Sequence, residues 1–435
     1  MRDEIRSERE GVTRPQKDLD YVVTGVPLDD LLVRLRPLGR TDVVGAAFAV
    51  VKLTLEGTTV DVALPRREHS TGPGHRDFNV QSGPEIALED DLARRDFRMN
   101  MIARAIPSGD LVDPYAGAAD IAAHRIDILR KDAFEEDPLR MLRAAQFAAR
   151  FHFTATPQTT DAMRAAAASV ASVSPERICE ELTKLFALAP SPSIGLELLR
   201  ETGVLGRLWP ELLEGVGVEQ NEWHAHDVYR HSLATLDAVP PGDVALRIAA
   251  LLHDVGKPRT KDGPHFYRHE HVGEGLTREM LGRLRFPKET IEAAAHLVRQ
   301  HMYAADPELS ASGVRRFIRR VGPEHLDRLF ALRYADIAGS GLPKRDGSNE
   351  AFEARVVTTL EERPPFTLRD LAIGGAEVIA VMREFELVDG EFRGDARVGR
   401  TLAYLLERVL DDPGLNQPRA LLALARSSLL AKEKR

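Results

Sequence analysis

The sequence predicts an α+β chain, a mixed head followed by regions built from helices alone. Three observations carry this. The runs that read as strands, 18–23, 46–55 and 58–64, all lie near the start. From residue 153 onward the apolar residues recur at helical spacing. The length of 435 residues exceeds one domain, at about 150 residues each.

Composition narrows the class. With 43% hydrophobic residues, the chain can bury a core throughout. Cys179 is the single cysteine, so no intrachain disulfide can form and a reducing, cytoplasmic location is expected. No run of about 20 apolar residues is present, so no membrane span is expected. The opening MRDEIRSERE is charged and lacks the apolar stretch of a signal peptide. A net charge of −8 argues against a broadly basic nucleic-acid coat, although a local basic groove could still meet a polyanion.

The head is organised around Lys17-Asp18-Leu19-Asp20-Tyr21-Val22-Val23. Strand period two puts Asp18 and Asp20 on one side and Leu19 on the other. Two carboxylates so placed repel unless a cation lies between them. Mg²⁺ takes oxygen ligands of this kind and keeps phosphate oxygens as partners. A pair of such ions can activate a hydroxyl and stabilise a leaving pyrophosphate. Apolar spacing over 28–35 predicts a helix, and strands 46–55 and 58–64 flank a Glu56-Gly57 turn. Asp61 on the second strand either completes a metal cage with Asp18 and Asp20 or faces solvent.

Residues 65–78 read as a loop in which Arg66, Arg67, His75 and Arg76 flank Gly72-Pro73-Gly74; such cations could meet phosphate. The stretch EDDLARRDFRMNMIARAI, 89–106, sets Leu92, Phe97, Met99, Ile102 and Ile106 near one helical face. Arg94, Arg95, Asp96 and Asn100 fall on other faces, which reads as a salt-bridged amphipathic helix. A turn-rich DPYAGAADI follows from Asp113. Glu136-Asp137-Pro138 then opens a helix with acids in the first turn and Pro138 near its first position. Arg140, Arg143 and Arg150 recur on it at helical spacing, over a stripe of Leu139, Leu142, Ala145 and Phe147.

The series KDLDYVV, VDVALPRRE, EDDLARRDFRMN, DPYAGAADI and EDPLRMLRAAQFAARF resembles the ordered motifs of class II tRNA nucleotidyltransferases, the CCA-adding enzymes and related bacterial poly(A) polymerases. The resemblance implies a polymerase-β-like nucleotidyltransferase head at 1–152 and an all-α, RNA-binding neck and body at 153–220. It implies that Asp18 and Asp20 bind catalytic Mg²⁺; Asp61, from the strand pattern, is the third candidate catalytic residue. Arg94, Arg95, Asp96 and Asn100 match an RRDFxxN element that supports nucleotide and sugar binding. Asp137, Arg140 and Arg143 match an EDxxRxxR element whose Asp and Arg read the incoming base in place of a template. Those residue types suit base reading, because Arg offers paired donors and Asp accepts from an exocyclic amino group. The expected partners are tRNA, ATP and CTP. The motifs are common to enzymes that add CCA, CC, A or poly(A).

The chain departs from the family at four places. The family opens with a Gly-Gly-x-Val-Arg-Asp loop whose backbone N–H groups cradle triphosphate. Here Met1-Arg2-Asp3 stands at its last three positions; Arg2 joins the expected nucleotide-binding residues, and the natural start is expected upstream of Met1. Arg98 stands where Thr is usual, Met101 where Ala is usual, and Ala116 where Gly is usual.

Nine of the 14 histidines fall between His224 and His301. Imidazole is the commonest transition-metal ligand, and an adjacent His-Asp offers mixed nitrogen and oxygen ligation. The apolar run 247–252 predicts a helix that delivers His253 and Asp254 at its C-terminal end. His231, then His253-Asp254 in LLHDVGK, then Asp336 in LRYADIAGSG resemble the HD phosphohydrolase family over 221–343. The resemblance implies a divalent metal of unspecified identity on His231, His253, Asp254 and Asp336, with His269 a further candidate and His271 and His301 weaker ones. Lys257 could meet phosphate. The resemblance also implies phosphatase or 2′,3′-cyclic phosphodiesterase activity, which would regenerate the free 3′-hydroxyl that nucleotidyl transfer needs. Residues 344–435 read as a helical tail, with helices over 398–410 and 419–430 that pack or touch RNA backbone. Cys179 reads as a core thiol. Two rival readings stand beside the transferase: an HD phosphohydrolase with an inactive RNA-binding head, and an RNA-binding protein with both sites silent.

Overall fold

The computed structural model describes residues 1–10, 20–44, 50–70, 78–220, 225–342, 347–389 and 391–433. Strands β1 (Asp20–Val22), β2 (Arg40–Val44), β3 (Val50–Leu55) and β4 (Thr58–Ala63) form one sheet in the order β1-β4-β3-β2. β3 and β4 are the expected hairpin. Glu56 and Gly57 have φ of 47° and 86°, the paired positive values that a two-residue turn needs to match strand twist. β1 joins β4 in parallel, and β2 adds an antiparallel edge. The helix Leu28–Leu35 lies on the apolar face, where Leu31, Leu35, Val51, Leu53, Val62 and Leu64 form a small core.

Two expectations about residues 65–106 are corrected. Residues 65–78 are not simply a loop: Arg66–Ser70 pairs antiparallel with Phe78–Ser82, and Arg67 is ion-paired with Asp90. His75 and Arg76 lie outside the described residues. Nor is 89–106 one helix. It divides into a helix, Leu88–Ala93, a 3₁₀ turn, Arg98–Asn100, and a two-residue strand, Ala103–Arg104. Asp96 causes the break: its Oδ1 accepts from the Phe97 N–H at 2.8 Å and from the Asn100 amide at 2.7 Å. Such local side-chain bonds compete with the helical ladder. Leu92, Phe97, Met99 and Ile102 are nevertheless buried, while Ile106 is exposed.

The helix expected from Glu136 begins instead at Arg140 and runs to Phe151. Asp137 is extended, with φ of −139°, because the ring of Pro138 disfavours helical backbone in the residue before it. This helix belongs to the largest core, which runs from Ile5 through Phe97 and Phe147 to Val356. The N-terminal helix Arg2–Glu10 docks there through Ile5, with the Arg2 and Arg6 guanidiniums 4.7 and 4.0 Å from the Phe151 ring centre.

Beyond residue 153 the described elements are helices apart from three two-residue strands. Cys179 is buried in the helix Pro175–Leu188, and burial pushes its thiol up. The tail forms its own core, from Leu371 to Leu429, with helices Ala396–Asp411 and Pro418–Glu433. Arg315 ties it to the rest by donating to the Leu410 and Asp411 carbonyls at 2.7 and 2.9 Å. Among the described residues no helix is long and apolar enough to cross a membrane.

Candidate active sites

In the head, ladder register places the acids. Asp20 is opposite Asp61, Asp61 opposite Lys52, and Lys52 opposite Asp42, so one row of charge crosses all four strands. The row lies on the face away from the buried Val51 and Val62. Directly opposed carboxylates repel, and a cation between Asp20 and Asp61 removes that repulsion. Asp20 is exposed and Asp61 half-buried, so both can reach a ligand from solvent. Asp18 lies outside the described residues. The donor set, oxygen only and open to phosphate, fits Mg²⁺.

The nucleotide-binding candidates gather where Arg2 and the segment 94–100 meet the helix Arg140–Phe151 and the turn before it. Asp96 is their hub. Its Oδ2 accepts from Arg143 Nε at 2.9 Å and Nη2 at 2.7 Å, while Arg2 Nη1 donates to the Asn100 oxygen at 2.9 Å. Burial alone would raise the Asp96 carboxyl, but Arg143, Asn100 and the Phe97 N–H outweigh it and hold it below the usual carboxylate range. Arg140 donates to the carbonyls of Arg94 at 2.8 Å and Ala133 at 3.3 Å, and Asp137 lies 3.5 Å from Arg177. Arg94 is turned onto the buried Asp91 at 2.9 Å, and Arg95 reaches the Asn100 carbonyl at 3.1 Å.

Two departures from the family pattern find physical reasons. Arg98 lies 3.0 Å from both Asp120, which is fully buried, and Asp127, so it joins acids that a Thr would leave short of a cation. Ala116 sits at φ 58°, ψ 34°, the left-handed conformation that glycine adopts without cost. The glycine beside it is obligatory, since a Cβ on Gly117 would lie 2.0 Å from the Arg98 carbonyl oxygen. Nothing in the structure explains Met101.

The histidine cluster is assembled by five helices. The helix Val228–Ala238 carries His231, and Leu326–Gly339 carries Asp336. The helix Val244–Leu252 ends at His253, as expected, and is pinned by the fully buried Arg247. That guanidinium donates to the carbonyls of Phe186 and Ala189 from one helix end and of Val239 and Pro240 from another. The fourth element is His269–Arg283. Gly256 lets the doublet's turn abut it, because a Cβ there would meet the His269 carbonyl at 2.2 Å.

Asp254 is central. His231 Nε2 is 3.5 Å and His253 Nε2 3.1 Å from its Oδ2, while His269 Nε2 is 3.3 Å and His301 Nε2 3.7 Å from its Oδ1. Asp336 Oδ1 closes the first side at 3.1 Å from His231. Two ligand groups result, His231-His253-Asp254 and Asp254-His269-His301, each with its donor atoms within 4.8 Å of one another. The cluster fits metal for a local reason. His253, His269 and His301 direct Nδ1 at the carbonyls of Ala250, Phe266 and Val298, at 2.9, 2.8 and 2.7 Å. Donation from Nδ1 leaves the Nε2 lone pairs facing inward. Although burial opposes it, the negative field of Asp254 raises His253, and that same field favours a divalent cation. Asp254 is held well below the usual range against its burial, by His253 and Lys257. Lys257 Nζ lies 2.7 Å from Asp254 and donates to the Gln220 side chain at 2.6 Å.

His301 and Gln220 are the members that patterning leaves obscure. His301 follows the helix Lys288–Gln300, which packs antiparallel on His269–Arg283 after a short connection, so the start of one helix meets the end of the other. His271 faces Glu270 at 3.6 Å rather than Asp254.

Three family descriptions match: Poly A polymerase head domain at 9–127, Probable RNA and SrmB-binding site of polymerase A at 152–215, and HD domain at 228–344. The Multifunctional CCA protein of Nitrosococcus oceani is 36% identical over 383 residues, covering 83% of this chain and 91% of the relative. That of Stenotrophomonas maltophilia is 38% identical over 303 residues, covering 66% and 72%. The fold is that of the Bacillus stearothermophilus CCA-adding enzyme in complex with CTP, at TM-score 0.64 and 21% identity over 100% of this chain and 92% of the other. It also matches the Thermotoga maritima CCA-adding enzyme complexed with tRNA, at TM-score 0.52 and 19% identity over 98% and 90%. A shared order of head, RNA-binding and HD segments, with identity sustained along nearly the whole length of a relative, places this chain in the family of multifunctional CCA proteins.

Proposed function

We propose that the chain transfers CMP and AMP from CTP and ATP to the 3′ end of tRNA, completing CCA, and that its HD region removes phosphate from RNA 3′ ends. The register of Asp20 against Asp61 on the open sheet face carries the first reading. The 3′-hydroxyl oxygen bonds to the α-phosphorus, the bond to pyrophosphate breaks, and the hydroxyl proton leaves to solvent. Bound Mg²⁺ would lower the pKa of that hydroxyl and neutralise the leaving pyrophosphate. Asp18, Asp20 and Asp61 hold the charge that positions it. Arg2, Asn100, Asp96 and Arg95 form the wall against which sugar and phosphate rest, and Asp137 and Arg140 read the base, with Arg143 fixing Asp96. Residues 1–152 act as the head, 153–220 as neck and body, 221–343 as the HD region and 344–435 as the tail.

Convergence of four Nε2 atoms on one carboxylate supports the second reading. Divalent ions bound there would lower the pKa of water and so supply a nucleophile at neutral pH. Water oxygen joins phosphorus, the bond to the ribose oxygen breaks, and a free hydroxyl remains for extension. Asp254 spans both ligand groups, and Lys257 is placed to meet the phosphate. Asp20→Ala should abolish incorporation of labelled CTP and ATP while phosphate release with Mn²⁺, Co²⁺ or Ni²⁺ persists, and His253→Ala should do the converse. Loss of both activities in either single variant would refute two separate sites.

A further inference from the structure

The segment entering His269 carries features that neither metal ligation nor the core requires. Lys261–Asp262 and His265–Phe266 pair as a small antiparallel hairpin, with Lys261 opposite Phe266. His265 opens the second strand, and Tyr267 follows it in the turn that leads to His269. Their rings stack, with centres 5.3 Å apart and planes inclined by 29°. Tyr267 is 63% exposed and Met302, next to His301, is 59% exposed. An exposed side chain with apolar surface therefore stands near each imidazole of the second metal group, two residues before His269 and one after His301. Cations lie against the ring between His265 and Tyr267: Lys257 and Lys261 are 5.5 and 6.0 Å from the Phe266 ring centre, and Arg268, next to Tyr267, is exposed. Asp262 is the hairpin's acid. The hairpin is also tied to the centre, since the Phe266 carbonyl accepts from His269 Nδ1 at 2.8 Å.

We propose that the Tyr267–His265 ring pair is a nucleobase platform for the HD site, holding the terminal base of an RNA 3′ end so that its phosphate reaches Asp254, His269 and His301. This rests on the phosphohydrolase reading above and names what that site recognises. The occupant follows from chemistry. The substrate must present an anion to the metal group and a flat ring to Tyr267, and the Cα atoms of Tyr267 and His269 are separated by at most about 7.6 Å. A nucleotide spans such a gap with its ribose. Bases of every kind stack on aromatic rings, which suits a site that must accept any damaged end. Tyr267 is thus a positioning and specificity residue.

The test uses the full chain with Mn²⁺ and two probes, adenosine 3′-monophosphate and glycerol 2-phosphate, which lacks a ring. Tyr267→Ala should raise KM for the nucleotide about tenfold at unchanged kcat, the size of one lost base–aromatic stack, and leave glycerol 2-phosphate untouched. Tyr267→Phe should retain the wild-type values. An unchanged nucleotide KM in Tyr267→Ala would overturn the platform, and so would an equal rise for both probes, which would mean that the residue acts through His269. Wild-type protein that hydrolyses glycerol 2-phosphate with no preference for the nucleotide would overturn the platform alone. Hydrolysis of neither probe would overturn the phosphohydrolase reading and the platform with it.

Discussion

Asp20 and Asp61 stand on the open face of a sheet, whereas His231, His253, Asp254, His269 and His301 are buried at the meeting of helices. Both groups suit divalent cations, and the contrast lies in when each site is complete. In the head, backbone register sets the carboxylates side by side, but their side chains remain in solvent. On the proposed function, cation and triphosphate complete the site. In the HD region backbone carbonyls aim three imidazoles, and Arg247 fixes the helix that delivers the doublet. An open site suits a substrate that must change from CTP to ATP. A closed one suits ions that stay.

The largest expected effect breaks the contrast at its chemical end. Asp20→Ala should lower nucleotide incorporation by about a thousandfold or more, several kcal/mol of transition-state stabilisation, with the HD activity as internal control. Next comes metal content. Wild-type protein should retain two transition-metal ions per chain after dialysis, His301→Ala about one, and Asp254→Asn neither, by elemental analysis. A single ion in the wild type would remove the bridging role of Asp254.

A smaller effect concerns the ion pair of Asp96 and Arg143 within the head. Asp96→Asn should cost about 2 kcal/mol, below the ~3–5 kcal/mol of a fully buried broken pair, because Arg143 is partly exposed and Glu181 still faces it at 3.6 Å. The sign with pH follows from the lowered Asp96 carboxyl. Its contribution is complete above the unfolded pKa of about 3.9 and is lost as pH falls through the lower folded value. Denaturant titrations at pH 6 and pH 3 should therefore differ more for wild type than for Asp96→Asn. The smallest change is Ala116→Gly, which relieves a left-handed alanine and should add about 1 kcal/mol of stability.

Much of the fold was legible wherever apolar spacing matched one element. The helix Leu28–Leu35, the β3–β4 hairpin and the doublet at the end of Val244–Leu252 all follow local pattern. What stayed hidden was non-local. β2 buries no residue fully, so no alternation marks it, and Arg66–Ser70 contains no apolar residue; each is a strand because a partner pairs with it. The 89–106 stretch misleads because Leu92, Phe97, Met99 and Ile102 are buried near helical spacing while Asp96 captures the backbone. In the sites, His231, His253, Asp254 and Asp336 meet as their order suggests. His301 joins only through an antiparallel helix pair, and Gln220 only through Lys257. The reason for Arg98 is likewise spatial, since Asp120 and Asp127 lie 22 and 29 residues further along the chain.

The most direct measurement follows one tRNA lacking its last three nucleotides and ending in a 3′-phosphate, given Mg²⁺, Mn²⁺, CTP and ATP, on a denaturing gel. Wild-type chain should extend it by three nucleotides. His253→Ala should extend only the 3′-hydroxyl form, and Asp20→Ala should remove the phosphate without extending the product. Extension of the blocked tRNA by His253→Ala, or none of either form by the wild type, would break the two-site reading.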